Sequence, residues 1–263
     1  MNFSLILGVL VALGGVLAGF LIEKGTFISL WSPSAFCIVF GGTIGIAMIT
    51  YPMSSMKKIP AAMKLITFQK KHDTKKLVDM LCDIANKARK EGILSLESEA
   101  DKVKDPFIKK GLGYIADGVD PEFLRKMLEN EIEVVEKKYK AAAAVFEGMG
   151  GTGPTMGVLG TVMGMTTILK SMNADMDSLG KNIAVAFLAT LYGVGSANIL
   201  WLPIGGNIKV VAERESDYQM VILEGLMAIQ SGESSSRLRD RLETMLSEKK
   251  GKSAGKEEHE EEK

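Results

Sequence analysis

Four stretches of this chain carry no charged residue: Met1–Ile22, Gly25–Met56, Gly148–Leu169 and Asn182–Ile208. A hydrocarbon core of about 30 Å takes roughly 20 apolar residues as a helix, and each stretch can supply them. Backbone polar groups find no water in that core, so a spanning segment must close its hydrogen bonds internally, and helices are expected. Hydrophobic residues make up 46% and charged residues 24% of the 263 positions, both ordinary averages, so the information lies in their segregation. A signal peptide is disfavoured for the first stretch, which has no basic flank before it and a second apolar stretch directly after it.

The basic residues set the expected orientation. They crowd the segment from Lys57 to Glu147 and the tail after Lys209, while the turns Glu23-Lys24 and Lys170–Lys181 hold few. Cytoplasmic loops carry the excess of Lys and Arg, which puts both termini and the long central segment in the cytoplasm. The expected fold is an all-α membrane protein with transmembrane helices over residues 1–22, 34–51, 148–170 and 182–204. A cytoplasmic helical domain would fill 52–147, cytoplasmic helices 205–246, and a Lys/Glu-rich disordered tail 247–263. Asp105-Pro106 and Asp120-Pro121 each read as an N-cap followed by a first-turn proline. Leu77, Met80, Leu81 and Ile84 mark another amphipathic helix, and Ser235 or Ser236 is placed to cap the last one. No break separates Tyr139 from the third apolar stretch, so one helix is expected to run through both.

Several function classes fall away. Lys plus Arg equals Asp plus Glu, 32 each, which gives no basic surplus for nucleic acid. Two cysteines and two histidines are too few for a zinc site or a disulfide framework. The glycine-rich run from Gly148 to Gly157 lacks the Lys-Ser/Thr and preceding strand of a P-loop. His72 reads as a surface residue, and Cys37 and Cys82 as buried bystanders. No constellation of an enzyme is present.

The apolar stretches do contain small residues at helical spacing. Pro154, Gly157, Thr161 and Gly164 fall on one face of the third, and Ala186, Thr190, Gly193 and Ala197 on one face of the fourth. Gly153–Gly157 and Gly160–Gly164 are also G-x-x-x-G pairs, which let helix backbones approach closely. Such strips suit a close-packed wall, and several copies would make a hydroxyl-lined passage; packing alone stays open as the other reading. Intramembrane ion carriers normally use Asp, Glu, His, Lys or Arg, and none of the four stretches has one. A threonine hydroxyl can donate or accept a hydrogen bond but does not titrate near neutrality. If ions pass here, the carboxylate belongs to a partner chain.

These residues resemble the MotA/TolQ/ExbB family over nearly the whole length. Gly153-Pro-Thr-Met-Gly-Val-Leu-Gly-Thr-Val-Met-Gly164 is similar to the family's third-span motif. Ala189-Thr-Leu-Tyr-Gly193, with Ala197-Asn198 and Leu202-Pro203, is similar to its fourth. Ala88-Arg-Lys-Glu-Gly-Ile-Leu-Ser-Leu-Glu97 and the two spans before the central segment point to the flagellar stator branch. The resemblance implies a multi-pass protein of the cell (inner) membrane. It implies a ring, a pentamer, around a dimer of MotB, which supplies an intramembrane aspartate and a peptidoglycan anchor. Pro154 and Pro203 would be the torque-linked prolines, and Thr155 and Thr190 would stand near the partner aspartate. Arg89 and Glu97 would meet the rotor protein FliG; by themselves they read as solvated charges. Thr161 departs from proton-driven relatives, which often carry a nonpolar small residue there, and resembles sodium-driven ones. The expected transported ion is the proton, with sodium possible and no resident cofactor. An ExbB- or TolQ-like energiser of envelope transport and a passive membrane scaffold are the alternatives.

Overall fold

The computed structural model describes residues 3–69, 72–170 and 176–247, and every regular element among them is helical. The tail expected to be disordered lies outside these residues from 248 onward. Along the chain run α1 (Phe3–Ile22), α2 (Pro33–Phe36), α3 (Gly42–Thr50), α4 (Met53–Met56), α5 (Ile59–Thr67) and α6 (Thr74–Glu91). There follow α7 (Ser95–Ala100), α8 (Pro106–Ala116), α9 (Pro121–Lys170), α10 (Met176–Ser196) and α11 (Leu202–Gln230). A final helix, α12, covers residues 235–247. Two π-helical turns are inserted, Cys37–Gly41 between α2 and α3 and Ala197–Trp201 between α10 and α11.

Local chemistry sets these boundaries. The Asp105 carboxylate accepts from Phe107 N at 2.9 Å, and that of Asp120 accepts from Glu122 N and Phe123 N at 3.0 Å. Both Asp-Pro pairs therefore start helices as expected, the proline filling a position where no N–H is needed. Asp73 caps α6 through Lys76 N at 3.1 Å. α6 stops at Gly92, whose φ of +85° only glycine adopts freely. The helix begun at Asp120 continues unbroken for 50 residues and takes in the third apolar stretch.

The chain divides into two compact units, residues 1–69 with 137–212 and residues 70–136 with 213–263. The first holds three apolar clusters. One gathers Ala62, Ile66, Ala142, Ala143, Phe146 and Ile208; another, Ala35, Val39, Leu188 and Ala189; the third, Ala47, Val145 and Met149. Its outward faces are also apolar: Leu10, Val11, Ile49, Val158, Val162 and Phe187 are all exposed. Exposed apolar surface on this scale is surface that lipid or other chains cover. Phe27–Thr50 and Asn182–Gln230 are long and apolar enough to cross a bilayer, and Leu7–Ile22 is a shorter apolar helix. Seven glycines and five threonines dilute the third stretch inside α9.

The second unit has a conventional core in which Leu81, Ile108, Leu112, Leu124, Leu128, Ile222 and Leu226 are fully buried. Gly111 and Gly225 leave room in it for Leu226 and Leu81; a Cβ at either would fall within 2.6 Å of those side chains.

Candidate functional site

The small-residue strips of α9 and α10 face each other. A Cβ at Gly157 would lie 2.8 Å from the Ala189 carbonyl oxygen, and one at Gly193 would lie 2.6 Å from that of Gly153. One at Gly164 would come 2.7 Å from Ala186 Cβ. Glycine is required along this seam because the two backbones touch.

Thr161 and Thr190 meet within the seam, their Oγ1 atoms 2.5 Å apart and both side chains half-buried. Thr161 Oγ1 also lies 3.0 Å from the Ala186 carbonyl and 3.1 Å from that of Gly157. A hydroxyl has one proton and two lone pairs, and a carbonyl can only accept. The pair therefore has two self-consistent states. In one, Thr161 donates to a carbonyl and Thr190 donates to Thr161, which leaves Thr190 with free lone pairs. In the other, Thr161 donates to Thr190, whose own proton is then free to be donated. Two bond rotations interconvert them with no change of charge.

Thr155 does not join this pair. It stands on an exposed face of α9 and donates to the Thr152 carbonyl at 2.7 Å. Pro154 lies inside α9, where its missing N–H deprives the Gly150 carbonyl of its helical partner. Pro203 follows the π-helical turn Ala197–Trp201 at the second position of α11, so its missing N–H falls where the regular ladder is already interrupted.

Tyr192 entered the sequence reading only as a letter of the fourth-span motif, with no role assigned. Its hydroxyl donates to the Leu30 carbonyl and accepts from Ser32 N at 3.0 Å, tying the start of α2 to α10. A phenol amid small and aliphatic residues was the available signal. Cys37, expected to be buried, is exposed on its apolar helix, whereas Cys82 is buried and donates to the Ser235 carbonyl at 3.5 Å. The burial expectation failed at Cys37 because an apolar stretch in this unit has an outward face as well as a packed one.

In the second unit, Arg89 is exposed in the last turn of α6 and Glu97 is exposed on α7. Neither forms an ion pair among the described residues. The corner that presents them is fastened by Glu99, which binds Lys87 at 2.5 Å and Lys102 at 2.8 Å. Hydrogen bonds from Lys102 and then Lys87 hold the Glu99 carboxyl below its ordinary range. His72, expected at the surface, is half-buried: it bonds Glu215 at 2.7 Å and stacks on Tyr218 with ring centroids 3.7 Å apart. Burial first, then Asp105 and Glu215, pushes the Tyr218 phenol up to about 12.

Residues 99–221 match the MotA/TolQ/ExbB proton channel family, and residues 6–92 match the motility protein A N-terminal family. Motility protein A of Bacillus subtilis (strain 168) is 33% identical over 89% of this chain and 87% of its own length. The structure of C. jejuni MotAB aligns with a TM-score of 0.88 at 27% identity, covering 93% of this chain and 96% of the other. The flagellar MotAB stator complex from Bacillus subtilis aligns with a TM-score of 0.84 at 32% identity, covering 91% and 94%.

Proposed function

The chain belongs to the MotA/TolQ/ExbB proton channel family as a flagellar stator subunit, and from that premise we propose how its residues carry ion and torque. Its partner is MotB, the companion chain of the two solved complexes it resembles. Its layout is four transmembrane helices in the inner membrane with both termini cytoplasmic, supported by the four charge-free stretches and the distribution of Lys and Arg. Five copies surround a MotB dimer.

The observation that carries the mechanism is the hydroxyl pair of Thr161 and Thr190, set in a seam whose stretches contain no Asp, Glu, His, Lys or Arg. The titrating group is a carboxylate of MotB. Ionised, it accepts from Thr190, which accepts in turn from Thr161. When a proton arrives from outside, the acid needs an acceptor. Thr190 turns, accepts a hydrogen bond from the protonated acid and donates to Thr161, which then donates to the carbonyl of Ala186 or Gly157. Both charge states are thus served by one site without stranding a buried polar group. Release of the proton to the cytoplasm recharges the carboxylate, and the ring moves to the next subunit's hydroxyl pair. One charge through 100 mV supplies about 2.3 kcal/mol, so a step can use only a small difference between the two states.

Thr155 faces the same partner from the exposed side of α9, and Pro154 and Pro203 shape the backbone that moves. Arg89 and Glu97 meet the rotor protein FliG. A second reading is favoured by Thr161: its hydroxyl adds a hard oxygen beside that of Thr190 and two carbonyls, a donor set that suits sodium as well as a proton relay. Swimming measured with and without sodium, and with and without a protonophore, separates the two. Replacing Thr190 with Val tests the core of the proposal: the complex should assemble and motility should be lost. Normal swimming would sink the hydroxyl role.

A further inference from the structure

We infer that Tyr192 is a positioning residue of the ion site, whose phenol holds α10 at the angle that presents Thr190 to Thr161. This rests on the hydroxyl role proposed for Thr190 and extends it to the opposite face of the same helix.

Ala186, Thr190 and Gly193 share the face of α10 that touches α9, while Leu188 and Tyr192 share the face packed on Ala35 and Val39. At about 100° per residue, Tyr192 stands roughly 200° around the helix from Thr190, behind the site and not in it. On that far side the chain breaks between the turn Phe27–Leu30 and α2, whose cap is Ser32. The Ser32 hydroxyl accepts from Ala35 N at 3.4 Å and its carbonyl from Phe36 N at 3.0 Å. The Ser32 N–H and the Leu30 carbonyl lie outside both ladders. The Tyr192 hydroxyl pairs the two at once, accepting from Ser32 N at 3.0 Å and donating to the Leu30 carbonyl. Ser32 is only 3% exposed and its surroundings are apolar, so the phenol is the partner that keeps a backbone donor and acceptor from being buried unpaired.

The grip matters because the opposite seam resists rotation poorly. Its contacts are Gly157 on Ala189, Gly164 on Ala186 and Gly193 on Gly153, which let the backbones touch but are made by the smallest side chains. A side-chain atom rides about 5 Å from a helix axis, so a turn of about 20° carries it about 2 Å. That is enough to open the 2.5 Å separation of the Thr161 and Thr190 hydroxyls past hydrogen-bonding distance. The phenol has the reach to prevent such a turn, and both of its bonds end on backbone that starts another helix. Tyr192 acts on the ion only through Thr190.

The test uses the full chain with MotB in a motile host. It reads the number of fluorescently tagged stators engaged at each motor. It also reads the external concentration of the driving ion at half-maximal speed, from one series in pH and one in sodium. Tyr192→Phe keeps the ring and removes the hydroxyl. It should leave the engaged number near wild type and raise the half-saturating concentration about tenfold, as for one hydrogen bond lost from the site. In a Thr161→Val chain, where the pair is already broken, the same change should add less than about twofold. Fewer engaged stators at an unchanged half-saturating concentration would make Tyr192 a packing residue and overturn the proposal, as would a full tenfold effect in the Thr161→Val chain. That concentration does not depend on how many stators engage, so a single unit reports it where Tyr192→Phe lowers assembly. If Tyr192→Phe is normal by both measures while Thr190→Val is immotile, the positioning role falls and the hydroxyl mechanism stands. If Thr190→Val also swims normally, the mechanism itself falls.

Discussion

The Phe40 ring meets the Trp201 indole edge-on at 6.1 Å, and each ring belongs to a π-helical turn, Cys37–Gly41 for one and Ala197–Trp201 for the other. The indole also leans on Phe146 of α9 at 6.4 Å. One side chain thus joins three helical segments of the first unit at the points where two of them depart from α geometry. Trp201→Ala should destabilise the complex by about 2–3 kcal/mol, below the range for a fully buried aromatic because Trp201 is half-buried. The indole Nε1 has no protein partner. Trp201→Phe should therefore cost under about 1 kcal/mol, since no hydrogen bond is lost. Thermal unfolding of the purified complex with MotB separates the two variants, and equal losses would refute the packing role.

The seam between α9 and α10 makes a sharper prediction. Alanine at Gly193 would place its Cβ 2.6 Å from the Gly153 oxygen and 3.0 Å from Gly157 Cα. Neither neighbour is a flexible side chain, so the helices must part. Overpacking of this kind costs about 1–3 kcal/mol, and it would also pull Thr190 away from Thr161. Gly195→Ala is the matched control, because nothing lies within 4 Å of a Cβ there. Motility should be lost in the first and kept in the second; a motile Gly193→Ala strain would contradict the close-packed seam.

Thr161 divides the proton relay from simple packing. Thr161→Val keeps the shape but removes the group to which Thr190 donates, so Thr190 can no longer change roles without leaving a proton unpaired. Loss of one such hydrogen bond, about 1.4 kcal/mol, is a tenfold drop in rate. Thr161→Ser keeps the hydroxyl and should retain most of the speed. Torque in tethered cells measures both, and a fast Val variant would mean the seam only packs.

The facing strips were legible in the sequence because small residues at i, i+3 and i+7 can share only one helix face. The Asp-Pro starts at Asp105 and Asp120 were legible because capping is local. What escaped depends on partners far along the chain. Tyr192 binds the backbone of Leu30 and Ser32, 162 and 160 residues away, and His72 finds Glu215 across 143. No periodicity announces such pairs. The π-helical turns escaped for a related reason: Pro203 signals an interrupted ladder, but tertiary packing decides whether the interruption is a kink or an inserted residue.

The His72–Tyr218 stack makes an alkaline prediction. Tyr218, on the part of α11 that belongs to the second unit, is pushed from 10.0 up to about 12 by burial. Between those values the unfolded chain has lost a proton that the folded chain keeps, so stability falls as pH rises through that window. Tyr218→Phe removes the titrating group and should flatten the fall above pH 10. Thermal scans of the complex from pH 9 to 11.5 would show it, and an unchanged slope would count against the buried phenol.

Glu99 provides the acid counterpart, and under the proposed rotor contact of Arg89 and Glu97 it bears on torque, because it fastens the corner that carries them. Hydrogen bonds from Lys102 and Lys87 hold its carboxyl below the ordinary glutamate range. Its contribution is therefore complete above the unfolded pKa and fades as pH falls through the lower folded one, where the unfolded chain binds the extra proton first. Glu99→Gln keeps the size and removes the charge that two lysines share. Hydrogen-exchange protection across residues 95–100, corrected for intrinsic rates, should drop about fivefold at neutral pH, as for a partly buried charge-assisted bond. The acid dependence of that protection should shrink with it. Because the exposed pair stays in place, any accompanying loss of torque at full stator number would come from a loosened mount. A Glu99→Gln chain that keeps wild-type protection would show that apolar packing at Leu96 and Ala100 alone fixes the corner.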